Sequence, residues 1–166
     1  MSLTGCILLV EDDPDDVFLL QYAFEKAGLN CRVSVVDDGQ KALDYLAGTG
    51  NYADRKRFPQ ASLILLDLKL PVLPGIEVLK HITRSASLAS IPVVVLTSSR
   101  NPEDIAECYL LGAQAFFVKP ISNEQRERVA RIIKENWLEG KPHARIGPGE
   151  QKSSDTELIV FLGART

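Results

Sequence analysis

The sequence has little cysteine, little histidine and no long apolar run, and each shortage removes a class of function. Its three cysteines, Cys6, Cys31 and Cys108, are odd in number and share neither metal-type nor redox-type spacing, which predicts reduced packing residues. The longest apolar runs, such as Val93-Val94-Val95-Leu96, are strand-sized. They fall far short of the roughly 20 residues that cross a bilayer, so no membrane association is expected. Met1-Ser2-Leu3-Thr4-Gly5 lacks a basic region followed by an apolar stretch and does not read as a signal peptide, so a cytoplasmic location is expected. A formal net charge of −3 leaves no basic footprint for phosphate-backbone contacts, which disfavours direct nucleic-acid binding.

What is present fits one soluble domain: 166 residues, 45% hydrophobic and 25% charged. Residues 1–140 are expected to form that domain. Residues 141–166, where the composition shifts to Gly, Pro, Ser and charge, are expected to form a flexible tail, with Leu158 to Leu162 able to add a strand at a sheet edge.

Apolar runs of strand length alternate with stretches of helical periodicity, which predicts an α/β fold with a doubly wound parallel sheet, (βα)₅. The runs are Ile7 to Val10, Val33 to Val36, Ser62 to Leu66, Val93 to Leu96 and Ala115 to Val118. Four are almost continuously hydrophobic, as strands buried on both faces are, whereas Val33-Ser34-Val35 reads as an edge. The first helix has Asp13 as its N-cap, Pro14 at its first position, and ends at Gly28. Gly48 stops the second, Asn101-Pro102 opens the fourth, and Ser122 to Gln125 form a capping box for the fifth. Residues 49–61 form a basic, aromatic-containing connection longer than the usual crossover loop, either a functional loop or a tolerated insertion.

The polar residues fall where such a sheet binds ligands. Val10 gives way to Glu11-Asp12-Asp13, Leu66 to Asp67, Leu96 to Thr97 and Val118 to Lys119, all at carboxyl ends of strands. Each has a local explanation, a helix cap or a turn. Their occurrence at the same end of four strands points to one shared site. Carboxylates crowded there repel one another and raise the pKa of at least one unless a cation is present. Oxygen donors without histidine or cysteine suit Mg²⁺ rather than zinc. An aspartate beside Mg²⁺, a lysine and a hydroxyl is a nucleophile for phosphorus, with Lys119 and Thr97 meeting the phosphoryl oxygens.

The segments Ile7 to Pro14, Leu65 to Pro71 with Gly75, Val95 to Ser98 and Gly112 to Pro120 resemble the receiver domains of two-component response regulators, over about residues 5 to 139. The resemblance implies a flavodoxin-like fold with strand order 2-1-3-4-5. It implies Asp67 as phosphoacceptor, Glu11, Asp12, Asp67 and the Lys69 carbonyl around Mg²⁺, and Lys119 and Thr97 on the phosphoryl group. Phe116, three residues before the lysine, takes the rotameric switch position, where a tyrosine is frequent, and the peptide before Pro120 is one that is often cis in the family. Within the family, the segment before the third strand and the lack of an effector domain look most like single-domain regulators that partner phytochrome-like sensor histidine kinases. Output would pass through a phosphorylation-dependent interface, such as a homodimer through the fourth-helix, fifth-strand and fifth-helix face. The alternative is a phosphorylation-independent scaffold on the same fold. An aspartate-nucleophile phosphohydrolase of the haloacid dehalogenase type is disfavoured by Lys69, which stands where that family usually has a second aspartate.

Overall fold

In a computed structural model, residues 5–139 and the backbone of Leu158 and Ile159 are described. The elements in chain order are β1 (Cys6–Val10), α1 (Pro14–Lys26), β2 (Arg32–Val36), α2 (Gly39–Ala47), β3 (Leu63–Leu66), α3 (Gly75–Arg84), β4 (Val93–Thr97), α4 (Pro102–Leu110), β5 (Ala115–Val118), α5 (Asn123–Ile133) and β6 (Leu158–Ile159). The first five strands are parallel in the order β2-β1-β3-β4-β5, as expected. The sixth adds to the open edge of β5 and runs antiparallel, pairing Phe116 with Ile159 and Phe117 with Leu158. The rest of the expected tail lies outside the described residues.

Both faces of the sheet are covered, which is why the strand sequences do not alternate. Leu8, Val10, Ile64, Leu66 and Val95 pack against Tyr45, Leu46, Val78, Leu79 and Ile82 of α2 and α3. Ile7, Leu9, Leu63, Leu65 and Val94 pack against Leu20, Phe24, Val129 and Ile133 of α1 and α5. At the sheet edge β2 keeps Val35 exposed.

The helix boundaries follow the capping residues. Asp13 accepts from the Asp15 N–H, Asn101 from Glu103, and Ser122 from Gln125. Each side chain satisfies a first-turn donor that no helix carbonyl reaches. Gly48 ends α2 with φ 67°. Among the described residues no peptide is cis, so the bond before Pro120 is trans, unlike the family pattern.

The 49–61 connection is folded back onto α2. Arg55 donates to the carbonyls of Tyr45 (2.8 Å) and Leu46 (3.0 Å) in the last turn of α2 and of Phe58 (3.2 Å) in the connection itself, tying the two together. The rings of Tyr45, Tyr52 and Phe58 meet with centroids 5.1–6.1 Å apart, and the Tyr45 hydroxyl reaches the Pro59 carbonyl at 2.7 Å. Arg55→Ala is expected to lower stability by about 2 kcal/mol, because charge-assisted bonds to half-buried carbonyls are lost together. Urea unfolding measures this, and a change under about 0.5 kcal/mol, the scatter of neutral surface substitutions, would mean the segment is only draped on the surface.

Candidate phosphoacceptor site

Four strand ends meet at the point where the chain leaves β1 toward β2 on one side and β3 on the other. Backbone bonds carry the sheet one residue past its strands: the Asp67 N–H donates to the Val10 carbonyl (3.1 Å), that of Glu11 to Val36 (3.0 Å), and that of Lys119 to Thr97 (2.8 Å). The polar residues are therefore held as rigidly as the strands before them. Glu11 and Asp67 are each 4% exposed and Thr97 is fully buried.

Lys119 is the hub. Its Nζ lies 2.7 Å from Glu11 Oε2, 2.8 Å from Asp67 Oδ2 and 2.8 Å from Asp16 Oδ2. The other oxygens have backbone donors. Glu11 Oε1 accepts from the Asp13 N–H at 3.0 Å, and Asp67 Oδ1 from the Lys69 N–H at 3.1 Å. Lys69 thus enters the site through its amide. Thr97 Oγ1 accepts from the Ser99 N–H at 3.4 Å, and Ser99 Oγ donates to Asp104 Oδ2 at 2.5 Å, joining the end of β4 to the first turn of α4.

Carboxylate oxygens of Glu11, Asp12 and Asp67 all lie within 4.8 Å of one another. Glu11 and Asp67 are buried and Asp12 faces solvent. Three hard oxygen donors so close, with no thiol or imidazole among them, fit a divalent cation that keeps some of its water. Burial pushes the Glu11 carboxyl up to about 7, helped by the charge of Asp67 and opposed by Lys119 and the Asp13 N–H. Carboxylate crowding therefore perturbs one acid, as the sequence led us to expect, but burial is the larger cause. Burial also works against the Lys119 ammonium, yet its bonds to Asp16, Asp67 and Glu11 more than offset this and hold its pKa above the ordinary value.

Of the residues singled out in the sequence, the structure brings together Glu11, Asp12, Asp67, Lys69 and Lys119. Asp13 serves as the cap of α1. Phe116 is fully buried, packed in the α2–α4 side of the core. Asp16 was missed: in the sequence it is one of two acids in a first helical turn, which the helix dipole alone would explain.

This chain belongs to the response regulator receiver domain family, whose pattern it matches over residues 7–131. It is 42% identical over 135 residues to the probable methanogenesis regulatory protein FilR2 of Methanothrix harundinacea, covering 80% of this chain and 83% of that protein. It is 35% identical over 133 residues to the response regulator Rcp1 of Synechocystis, covering 80% and 88%. The Mn²⁺-bound form of Rcp1 superposes with a TM-score of 0.74 at 34% identity over 84% of this chain and 99% of that one. The phosphorylated cyanobacterial phytochrome response regulator RcpA gives 0.76 at 37% identity over 83% and 96%.

Proposed function

We propose that this protein receives a phosphoryl group on Asp67 from the phosphohistidine of a sensor kinase, in a Mg²⁺-dependent reaction, and signals through a changed protein surface. The observation that carries this is the Asp67 carboxylate itself. It is buried at a strand end, bonded to Lys119, and grouped with Glu11 and Asp12. The turn bond to the Lys69 N–H accounts for one oxygen of Asp67 but not for burying its charge beside two further carboxylates, which is costly to desolvate.

Glu11, Asp12, Asp67 and the Lys69 carbonyl are the residues that would hold Mg²⁺, and the ion would supply positive charge for the transferring phosphoryl oxygens. Asp67 attacks phosphorus in line while its Lys69 N–H bond fixes the direction of the other oxygen. Lys119 offsets the charge that develops on the equatorial oxygens, and the Thr97 hydroxyl, freed from the Ser99 N–H, accepts a place beside them. Hydrolysis of the acyl phosphate by water resets the protein. The kinship with phytochrome response regulators supports a phytochrome-like kinase as the donor.

Output is proposed to run through α4, β5 and α5. The Thr97–Ser99–Asp104 chain gives the site a direct hold on α4, and Tyr109, Leu110 and Ile121 expose apolar surface on this side, at 41%, 81% and 86%. That face is proposed to form a homodimer or to seat a protein partner, which would meet the exposed residues of α4 and of the loop before α5 beside β6 or displace β6 from the edge of β5. Near-complete switching needs roughly 5.5 kcal/mol of differential stabilisation, within reach of a few charge-assisted hydrogen bonds. The receiver is taken to span residues 1–140. Among the described residues no helix is long and apolar enough to cross a membrane.

The test is incubation with acetyl phosphate, with and without Mg²⁺, followed by intact mass and native size. A Mg²⁺-dependent gain of one phosphoryl group, lost in Asp67→Asn, is expected. No gain under any condition would replace this reading with a phosphorylation-independent scaffold.

A further inference from the structure

We infer that Asp16 is the positioning residue for Lys119 in the working site, an inference that rests on the proposed phosphoacceptor chemistry. An ammonium has three N–H donors, and all three are used on Glu11, Asp67 and Asp16 at 2.7–2.8 Å. The three acceptors are not equivalent. Glu11 and Asp67 belong to the carboxylate cluster that fits a divalent cation, so in the loaded site their charge is shared between two cations. The Asp67 carboxylate also loses its own charge when it becomes an acyl phosphate, the negative charge moving out to the phosphoryl oxygens. Asp16 lies outside the cluster, on the first turn of α1, with its side chain 36% exposed. It is the acceptor whose bond to Lys119 is unchanged before, during and after the transfer.

That bond has a geometric consequence. With acetyl phosphate as donor, an Asp67 oxygen bonds to phosphorus as the bond from phosphorus to the acetate oxygen breaks. Acetate leaves with the electron pair and no proton changes hands. The Lys119 N–H released by Asp67 must then meet a phosphoryl oxygen. An ammonium tied only to Glu11 and Asp67 would lose its orientation when both are engaged elsewhere. Tied to Asp16, it keeps one fixed bond about which the freed donor turns, and the unbranched lysine stem is held across the gap between β5 and α1.

The experiment measures phosphorylation of the full chain by acetyl phosphate across Mg²⁺ concentrations for wild type, Asp16→Ala, Asp16→Glu, Lys119→Ala and the Asp16→Ala/Lys119→Ala double variant. Mg²⁺ affinity is measured separately by calorimetry without donor. Asp16→Ala is expected to slow phosphorylation at saturating Mg²⁺ by about tenfold, part of the worth of one charge-assisted hydrogen bond, with the Mg²⁺ dissociation constant within about twofold of wild type. Asp16→Glu should recover part of the rate. In the Lys119→Ala background Asp16→Ala should do nothing further, because a residue that acts through the lysine has nothing left to position. The same slowing in both backgrounds overturns the inference, as does an unchanged rate or an effect confined to Mg²⁺ affinity. If both Lys119→Ala chains are inert, the Asp16→Glu chain decides, and no recovery overturns it. A wild-type chain that takes up no phosphate sinks the proposed function and this inference together. A wild-type chain that does, beside an equally fast Asp16→Ala, sinks the inference alone.

Discussion

Lys119→Ala is expected to destabilise the metal-free protein by about 2–3 kcal/mol near pH 8, because it strands two buried carboxylates without their counter-ion. Glu11 and Asp67 have side chains only 5% and 4% exposed, and the lysine that faces them is itself 19% exposed, which keeps the figure below that of a fully buried pair. The loss depends on pH with a definite sign. Burial holds the Glu11 carboxyl at about 7 against an ordinary 4.5, so the folded state binds a proton that the unfolded chain has released over that interval. Stability from this group is therefore present at low pH and declines as pH rises toward and through 7. Removing Lys119 takes away a lowering influence on Glu11 and extends the decline upward. The deficit should accordingly be smaller near pH 5 than near pH 8 in urea unfolding, by the part that Glu11 contributes. Millimolar Mg²⁺ at pH 8 should restore more stability to the variant than it adds to wild type, since it binds a folded site with excess negative charge. A deficit equal at both pH values and indifferent to Mg²⁺ would mean that the lysine matters for packing rather than charge.

That hub was only half legible in the sequence. Asp67, Glu11 and Lys119 could be placed because each interrupts a strand-length apolar run at its carboxyl end, and strand polarity in a parallel sheet fixes which end that is. Thr97 was legible for the same reason. The helix starts were legible because Asp13, Asn101 and Ser122 bond to amides two or three residues away, an interaction contained within a few residues of chain. Asp16 was not legible, because its partner is 103 residues distant and its local setting already explains an acid. Nor was the hold of Arg55 on α2. A basic residue in a long loop gives no sign of which carbonyls it will meet, so the 49–61 segment could be read equally as a functional loop or a tolerated insertion. The burial of Phe116 was legible, because Ala115 to Val118 is one of the continuously hydrophobic runs, whereas its orientation was not. An aromatic at the switch position says that a ring is there and not which way it points.

Gly75→Ala is expected to cost about 3 kcal/mol or more and to displace the phosphoacceptor, whereas Gly50→Ala should cost about 1 kcal/mol and leave the site intact. The contrast separates two uses of glycine. A Cβ on Gly50 would meet nothing within 4 Å, and the only difficulty is a φ of 59°, which an alanine tolerates with some strain. A Cβ on Gly75 would sit 2.1 Å from the Asp67 carbonyl oxygen and 2.7 Å from Leu68 Cα. Both are backbone atoms at the strand end that carries the acceptor, so no side-chain rotation can relieve the overlap. The same turn is closed by the Gly75 N–H donating to the Leu68 carbonyl at 3.0 Å, a bond that must lengthen if α3 backs away. Any retreat large enough to admit a methyl group pulls on Asp67, whose Oδ2 has to stay within hydrogen-bond reach of Lys119 while Oδ1 keeps the Lys69 N–H. Phosphorylation by acetyl phosphate should therefore fall at least 10²-fold in folded Gly75→Ala, the scale that a misplacement of about 1 Å produces, and stay within about twofold of wild type in Gly50→Ala. Urea unfolding and intact mass on the same samples distinguish a folded but misaligned site from simple unfolding. Equal behaviour of the two variants would show that the β3–α3 turn has slack, and that the close approach of α3 to Asp67 does not set the acceptor's position.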